Sequence, residues 1–157
     1  MTRLAAGVPA PPLELVAEDG RTVTLEDFAG EPLVVYFFPK AFTPGCTAEA
    51  CEFRDRTPDF VAAGYTVIGV SSDPPERLAE FRAEHDLGHP LLSDPDSGSA
   101  RRWGAYGDKV VDGMPTTGPL RSTVVVDADR TVVSAEYGLD PRGHAAALLA
   151  SLVGPPS

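Results

Sequence analysis

The chain has 157 residues, 43% hydrophobic and 23% charged, with 15 Gly and 16 Pro. That is the make-up of one turn-rich globular domain, neither disordered nor low in complexity. Thirteen Lys and Arg stand against 23 Asp and Glu, a net charge of −10, which argues against nucleic acid and against anionic membrane surfaces, because both are bound through neutralising cations. Small neutral substrates and protein partners remain.

The amino-terminal stretch from Met1 to Pro12 is broken by Pro9, Pro11 and Pro12 and makes a poor signal peptide. Leu13 and Leu15, then Val23 and Leu25, alternate around Asp19-Gly20 and predict a β-hairpin. Leu33 to Phe38 is a continuous apolar run, as a strand buried on both faces requires, and it stops at Pro39. No wholly apolar run in the chain is longer, and this one is far short of the ~20 residues that cross a bilayer. The expected location is therefore the cytoplasm.

A helical pattern follows from Thr43 to about Ala63, with Pro58 as a break or a second start and Gly64 as the end. Tyr65 to Val70 predicts a second buried strand. Pro75, Leu78, Phe81 and His85 keep helical spacing. Asp73 before them reads as that helix's cap, with a neighbour of the site as the alternative, and His85 and His89 read as helix-end and loop residues. Leu91-Leu92 leads into a loop, Ala100 and Trp103 suggest a short helix, and Gly107 to Leu120 reads as loop. Trp103 and the run Tyr36-Phe37-Phe38 read as core. Ser122 to Val126 and Thr131 to Val133 predict a second hairpin around Ala128-Asp129. Ala145, Leu148, Leu149, Leu152 and Val153 form one helical stripe. Strands alternating with helices imply a layered α/β fold, and the closing hairpin makes its sheet mixed. No internal repeat or linker divides the chain, so one domain over 1–157 is expected.

The chemistry concentrates between Pro39 and Cys51, where a buried strand gives way to a helix. That is where α/β folds place ligands. Cys46 falls at the first helical turn, whose unpaired N–H groups favour negative charge. An unperturbed thiol is only a few per cent thiolate at neutral pH, and making one largely anionic takes roughly 2.7–4 kcal/mol. A helix terminus supplies about 0.3–1 kcal/mol, so a working nucleophile here needs a cation as well. Arg121, directly before the apolar strand that begins near Thr123, is the candidate. Without such a partner, Cys46 reads as a small buried hydrophobe.

Cys51 lies five residues on. Along an α-helix that spacing is about 500° of rotation and about 7.5 Å of rise. The Cα atoms are then beyond the roughly 7 Å that a disulfide tolerates. The two cysteines cannot bond inside a folded helix, but they can if the helix unwinds locally. The spacing fits a conditional bond rather than a permanent staple.

Pro39, Thr43 and Cys46 match the peroxiredoxin motif P-x-x-x-T-x-x-C. With Cys51 in the run Thr43-Pro44-Gly45-Cys46-Thr47 to Glu49-Ala50-Cys51, the chain resembles the peroxiredoxin Q subfamily, also called bacterioferritin comigratory protein. Arg121-Ser122-Thr123 with the strand ending at Asp127, and Trp103-Gly104 with Tyr106-Gly107, are similar to further segments of that family, from about residue 8 to 153. Two stretches depart from it: Lys40-Ala41-Phe42, and Met114 to Leu120 with Pro115, Thr116, Thr117 and Pro119.

The resemblance implies a thioredoxin-like α/β fold, a central mixed sheet flanked by helices with an amino-terminal hairpin. It implies thiol peroxidase activity on hydrogen peroxide and organic hydroperoxides. Cys46 would be the nucleophile, becoming a sulfenic acid, and Cys51 would resolve it as an intramolecular disulfide. Arg121 would hold the thiolate and polarise the peroxide. Thr43 and the N–H groups of Gly45 and Cys46 would orient it, and Pro39 would shield the sulfur. Glu49 would orient Arg121, or else is a solvated first-turn carboxylate. A thioredoxin-type reductant would recycle the disulfide. No metal or organic cofactor is called for, and a monomer is expected, with a dimer as the alternative.

Three rivals differ in chemistry. A thioredoxin-like disulfide reductase uses C-x-x-C, whereas Glu49 stands three residues after Cys46; insulin reduction without peroxide separates the two. A zinc module wants about four ligands, and His85, His89 and His144 lie far from the cysteines without paired spacing. A binding protein with inert cysteines would consume no peroxide.

Overall fold

Residues 3–153 are described by the computed structural model. Residues 1, 2 and 154–157, which the expected domain includes, and the side chain of Val153 in the expected stripe, lie outside the described residues. In chain order come β1 (Glu14–Val16), β2 (Thr22–Thr24), a 3-10 turn (Leu25–Phe28), β3 (Leu33–Phe37), α1 (Pro44–Ala62), β4 (Thr66–Ser71) and α2 (Pro75–Glu84). Then follow β5 (Leu91–Ser93), α3 (Gly98–Arg102), β6 (Tyr106–Val111), β7 (Met114–Pro119), β8 (Ser122–Val126), β9 (Val132–Tyr137) and α4 (His144–Val153).

Seven strands make one mixed sheet in the order β2-β1-β5-β4-β3-β8-β9. β3, β4 and β5 run parallel, and β8 joins β3 antiparallel with Val35 opposite Val124. The unbroken apolar run of β3 has a simple cause: both of its faces are covered. Leu33, Val35 and Phe37 point into one core with Ile68, Val70 and Trp103. Val34, Tyr36 and Phe38 point into the other, with Phe53 and Phe60 of α1, Phe81 of α2 and Leu148 of α4. α1, α2 and α4 pack on one face, and the short α3 packs on the other with the 3-10 turn; the mixed sheet and the amino-terminal hairpin are as expected, and the arrangement is thioredoxin-like.

Three expectations are corrected. Gly107 to Leu120 is not loop but a separate two-stranded ribbon, β6 against β7, turning at Asp112 and Gly113 with φ of 51° and 80°. Asp-Gly with positive φ at both positions is the tight turn whose twist matches a hairpin. Pro115 and Pro119 pair with Val110 and Tyr106, alternate positions of the ladder, so proline's missing N–H falls where paired residues exchange no hydrogen bonds. Leu91-Leu92 does lead into a loop, and the pair itself belongs to a three-residue strand, β5, lodged between β1 and β4. Pro58 neither breaks nor starts a helix. α1 runs through it, pinned on either side by fully buried Phe53 and Phe60, whose rings pack 5.8 Å apart. Asp73, finally, is not the cap of α2, whose N-cap is Pro74; its role lies at the site.

Candidate active site

The loop from β3 to α1 is set by contacts to its neighbours. Asp73 Oδ2 accepts a hydrogen bond from the Ala41 N–H at 2.8 Å and another from the Ser71 hydroxyl at 2.7 Å. Phe42, at φ of 68°, packs edge-on against Phe81 with the Arg77 guanidinium 4.7 Å above its ring. The Phe42 ring thus has an apolar partner on α2, and Ala41 is buried in the same core. Thr43 is the N-cap of α1. Its hydroxyl donates to the Lys40 carbonyl at 2.8 Å, and its own carbonyl accepts the first helical bond, from Thr47 N–H. The amides of Gly45 and Cys46 precede that ladder.

Cys46 is 1% exposed. Arg121 Nη2 donates to its Sγ at 3.2 Å, and Arg121 Nη1 donates to Glu49 Oε1 at 2.7 Å. The guanidinium therefore spans the sulfur and the carboxylate one helical turn further on. Burial works against the charge of Arg121, but Glu49 and Cys46 outweigh it and the guanidinium is raised above its usual range. Glu49 is also 1% exposed, and its Oε2 has no partner among the described residues. Burial lifts its carboxyl to about 7 against the opposing pull of Arg121. A solvated first-turn carboxylate is ruled out. Gly45 has a steric reason: a Cβ there would stand 3.2 Å from Arg121 Nη2 and 3.3 Å from the Pro141 ring.

Pro39, Thr43, Gly45, Cys46 and Arg121 line a single cleft of about 840 Å³. Its far wall is the ribbon, through Val111, Met114 and Pro115, with Leu120 and Leu139 below. Cys51 is not on the cleft; it is half-buried on α1, and both cysteines are free. His85 ends α2, as expected. His89 is buried, hydrogen-bonded to the Tyr36 hydroxyl at 2.6 Å; burial is the main reason its imidazole falls to about 4. Trp103 is fully buried. Asp73 is the site neighbour that was the alternative to a cap, holding the loop through Ala41, whereas the ribbon's part as a wall was not expected. Asp-Gly between Val110-Val111 and Met114 was the available signal for the ribbon.

A thioredoxin-like sheet with a buried cysteine at a helix start, bridged by arginine to a buried carboxylate, defines a class of thiol-dependent enzymes. A family model for the AhpC/TSA family matches residues 6–135. Peroxiredoxin Bcp of Escherichia coli is 42% identical over 129 residues, 82% of this chain and 83% of that protein. Peroxiredoxin Q of Xanthomonas campestris superposes with a TM-score of 0.83 at 37% identity, covering 90% of this chain and 89% of that one. A second Xanthomonas campestris structure, of bacterioferritin comigratory protein described for its alkyl peroxide reduction activity, matches with a TM-score of 0.83 at 36% identity over 90% of each chain. The chain belongs to the AhpC/TSA family and, within it, to the Bcp and peroxiredoxin Q peroxiredoxins: a thiol peroxidase, with a peroxide as substrate and a thiol as reductant.

Proposed function

We propose that Cys46 is the peroxidatic nucleophile and Cys51 its resolving partner, in one domain acting as a monomer in the cytoplasm. The bridge from Arg121 to both Cys46 Sγ and Glu49 carries the reading. It supplies the cation that a helix terminus alone does not replace. The thiolate attacks one oxygen of hydrogen peroxide or an organic hydroperoxide. The O–O bond breaks, Cys46 becomes a sulfenic acid, and the other oxygen leaves as water or an alcohol after taking a proton.

Arg121 and the amides of Gly45 and Cys46 donate to the peroxide oxygens. The Thr43 hydroxyl, its hydrogen committed to Lys40 O, accepts from the peroxide O–H. Pro39 keeps bulk water off the sulfur. α1 then opens, the Cys51 thiol condenses with the sulfenic acid, and a disulfide forms with loss of water. A dithiol of the thioredoxin type reduces it by exchange. The C-x-x-C reductase reading has no support here, because the residue three after Cys46 is a buried carboxylate engaged with Arg121.

Two substitutions test the scheme. Cys46→Ser is expected to abolish peroxide turnover. Cys51→Ser is expected to reduce one equivalent of peroxide and then stop, with no thioredoxin-supported cycling. Peroxide consumption followed by intact mass and peptide mapping reads both, and turnover surviving in Cys46→Ser defeats the assignment.

A further inference from the structure

If Cys46 and Cys51 are to join, the first turns of α1 must open, and how readily they open depends on what holds them. The segment after β9 grips α1 at two points. Near the helix start the Pro141 ring lies against Gly45 so closely that a Cβ there would stand 3.3 Å from its Cγ. The same segment is tied beneath the site by Leu139 N–H donating to Arg121 O at 2.9 Å. Seven residues further along α1, Glu52 accepts from Gly143 N–H at 2.8 Å through Oε2 and from Ala146 N–H at 3.3 Å through Oε1. Gly143 and Ala146 are among the first amides of α4, which have no carbonyl partner in their own helix. α4 has no acidic residue in its first turn, so a carboxylate from another helix serves as its cap. One grip thus precedes Cys46 by one residue and the other follows Cys51 by one residue. The stretch that must melt lies between them.

We propose that Glu52 is a positioning residue that latches α1 closed, and so sets how fast Cys51 captures the Cys46 sulfenic acid. Unwinding through Cys51 takes from the Glu52 N–H its helical partner, the Ala48 carbonyl, and draws the carboxylate away from α4. The cap exists only while α1 is wound, so it opposes opening. Two reactions compete for the sulfenic acid. Condensation with the Cys51 thiol gives disulfide and water. Attack on a second hydroperoxide gives sulfinic acid and an alcohol or water. A tighter latch favours the second. This inference rests on the resolving role proposed for Cys51.

The experiment follows both products in the full chain after rapid mixing with hydrogen peroxide, by acid quench, thiol alkylation and intact mass. Glu52→Ala removes the cap, and Glu52→Gln keeps its shape and one acceptor without the charge. Disulfide formation is expected about tenfold faster in Glu52→Ala, the usual scale for losing a helix cap, with a smaller gain in Glu52→Gln. Oxidation of Cys46 by the first peroxide is expected to stay unchanged. The peroxide concentration that leaves half the protein as sulfinic acid is expected to rise by the same factor. Should Glu52→Ala fail to fold, the gain in Glu52→Gln decides. Disulfide formation no faster than wild type in the folded variants overturns the latch, even if Tm falls, because a purely structural cap lowers Tm and leaves the partition alone. Absence of any Cys46–Cys51 disulfide in the wild type overturns the resolving role, and the latch with it.

Discussion

Arg121 and Glu49 form the bond on which the site turns. Glu49 is one helical turn from Cys46, and Arg121 is 75 residues away from it in sequence. The guanidinium meets the two through different nitrogens, a fork that an ammonium does not reproduce. A charge-assisted hydrogen bond is worth about 1.5–3 kcal/mol. Arg121→Lys is therefore expected to slow oxidation of Cys46 by about tenfold to a hundredfold, measured as the second-order rate with hydrogen peroxide; an unchanged rate sinks the role of the fork. Pro39, Thr43, Gly45 and Cys46 were legible because they sit in one stretch whose spacing carries the motif. Glu49 was legible only as one of two readings, because nothing local distinguishes a carboxylate facing water from one turned under a helix. Asp73 carried two readings for the same reason, and the cap was favoured. A cap and an anchor for a neighbouring loop look alike until the loop is in place.

The ribbon is the element that local rules handled worst. Four proline and glycine residues between Gly113 and Pro119 read as loop, yet β6 and β7 pair over their full length. The proline positions tolerate pairing because only one edge of each strand is engaged. Val111 and Met114 face the cleft while remaining well exposed at 48% and 68%, so they offer apolar surface to a bound substrate. Burying a methylene is worth about 0.8 kcal/mol. Met114→Ser together with Val111→Ser is expected to lower kcat/KM for cumene hydroperoxide severalfold while leaving hydrogen peroxide unaffected. Equal losses for both peroxides would remove the ribbon from substrate binding. α1 shows the opposite error: an interior proline marks a break on local grounds, and two buried phenylalanines carry the helix across it.

At the scale of the whole molecule, two deeply buried groups pull stability in opposite directions with pH. Glu49 titrates at about 7 in the folded chain against an ordinary 4.5. The native state therefore keeps a proton that the unfolded chain has released, and this contribution to stability is full below pH 4.5 and lost as pH rises to about 7. His89 titrates at about 4 against an ordinary 6.5. Its contribution is full above pH 6.5 and lost as pH falls towards 4. Between pH 4.5 and 6.5 the two slopes oppose each other, at about 1.4 kcal/mol per pH unit each. Glu49→Gln removes one of them. Relative to wild type, the variant is expected to lose roughly 3 kcal/mol of stability between pH 6.5 and 4.5, read from urea midpoints across that range. Parallel curves for the two proteins refute the assignment.

The class of fold, the buried central strand, the helix that carries Cys46 and the separation of the two cysteines were all legible in the amino-acid order, because each depends on periodicity or spacing within a few turns of chain. Folding was needed to bring Arg121, until then a candidate by position, onto the sulfur, to choose the inward reading of Glu49, to make the ribbon a wall of the cleft and to rest α4 on Glu52. Those are contacts between residues tens of positions apart, made when the sheet and its flanking helices close, and local sequence offers candidates for them without fixing them.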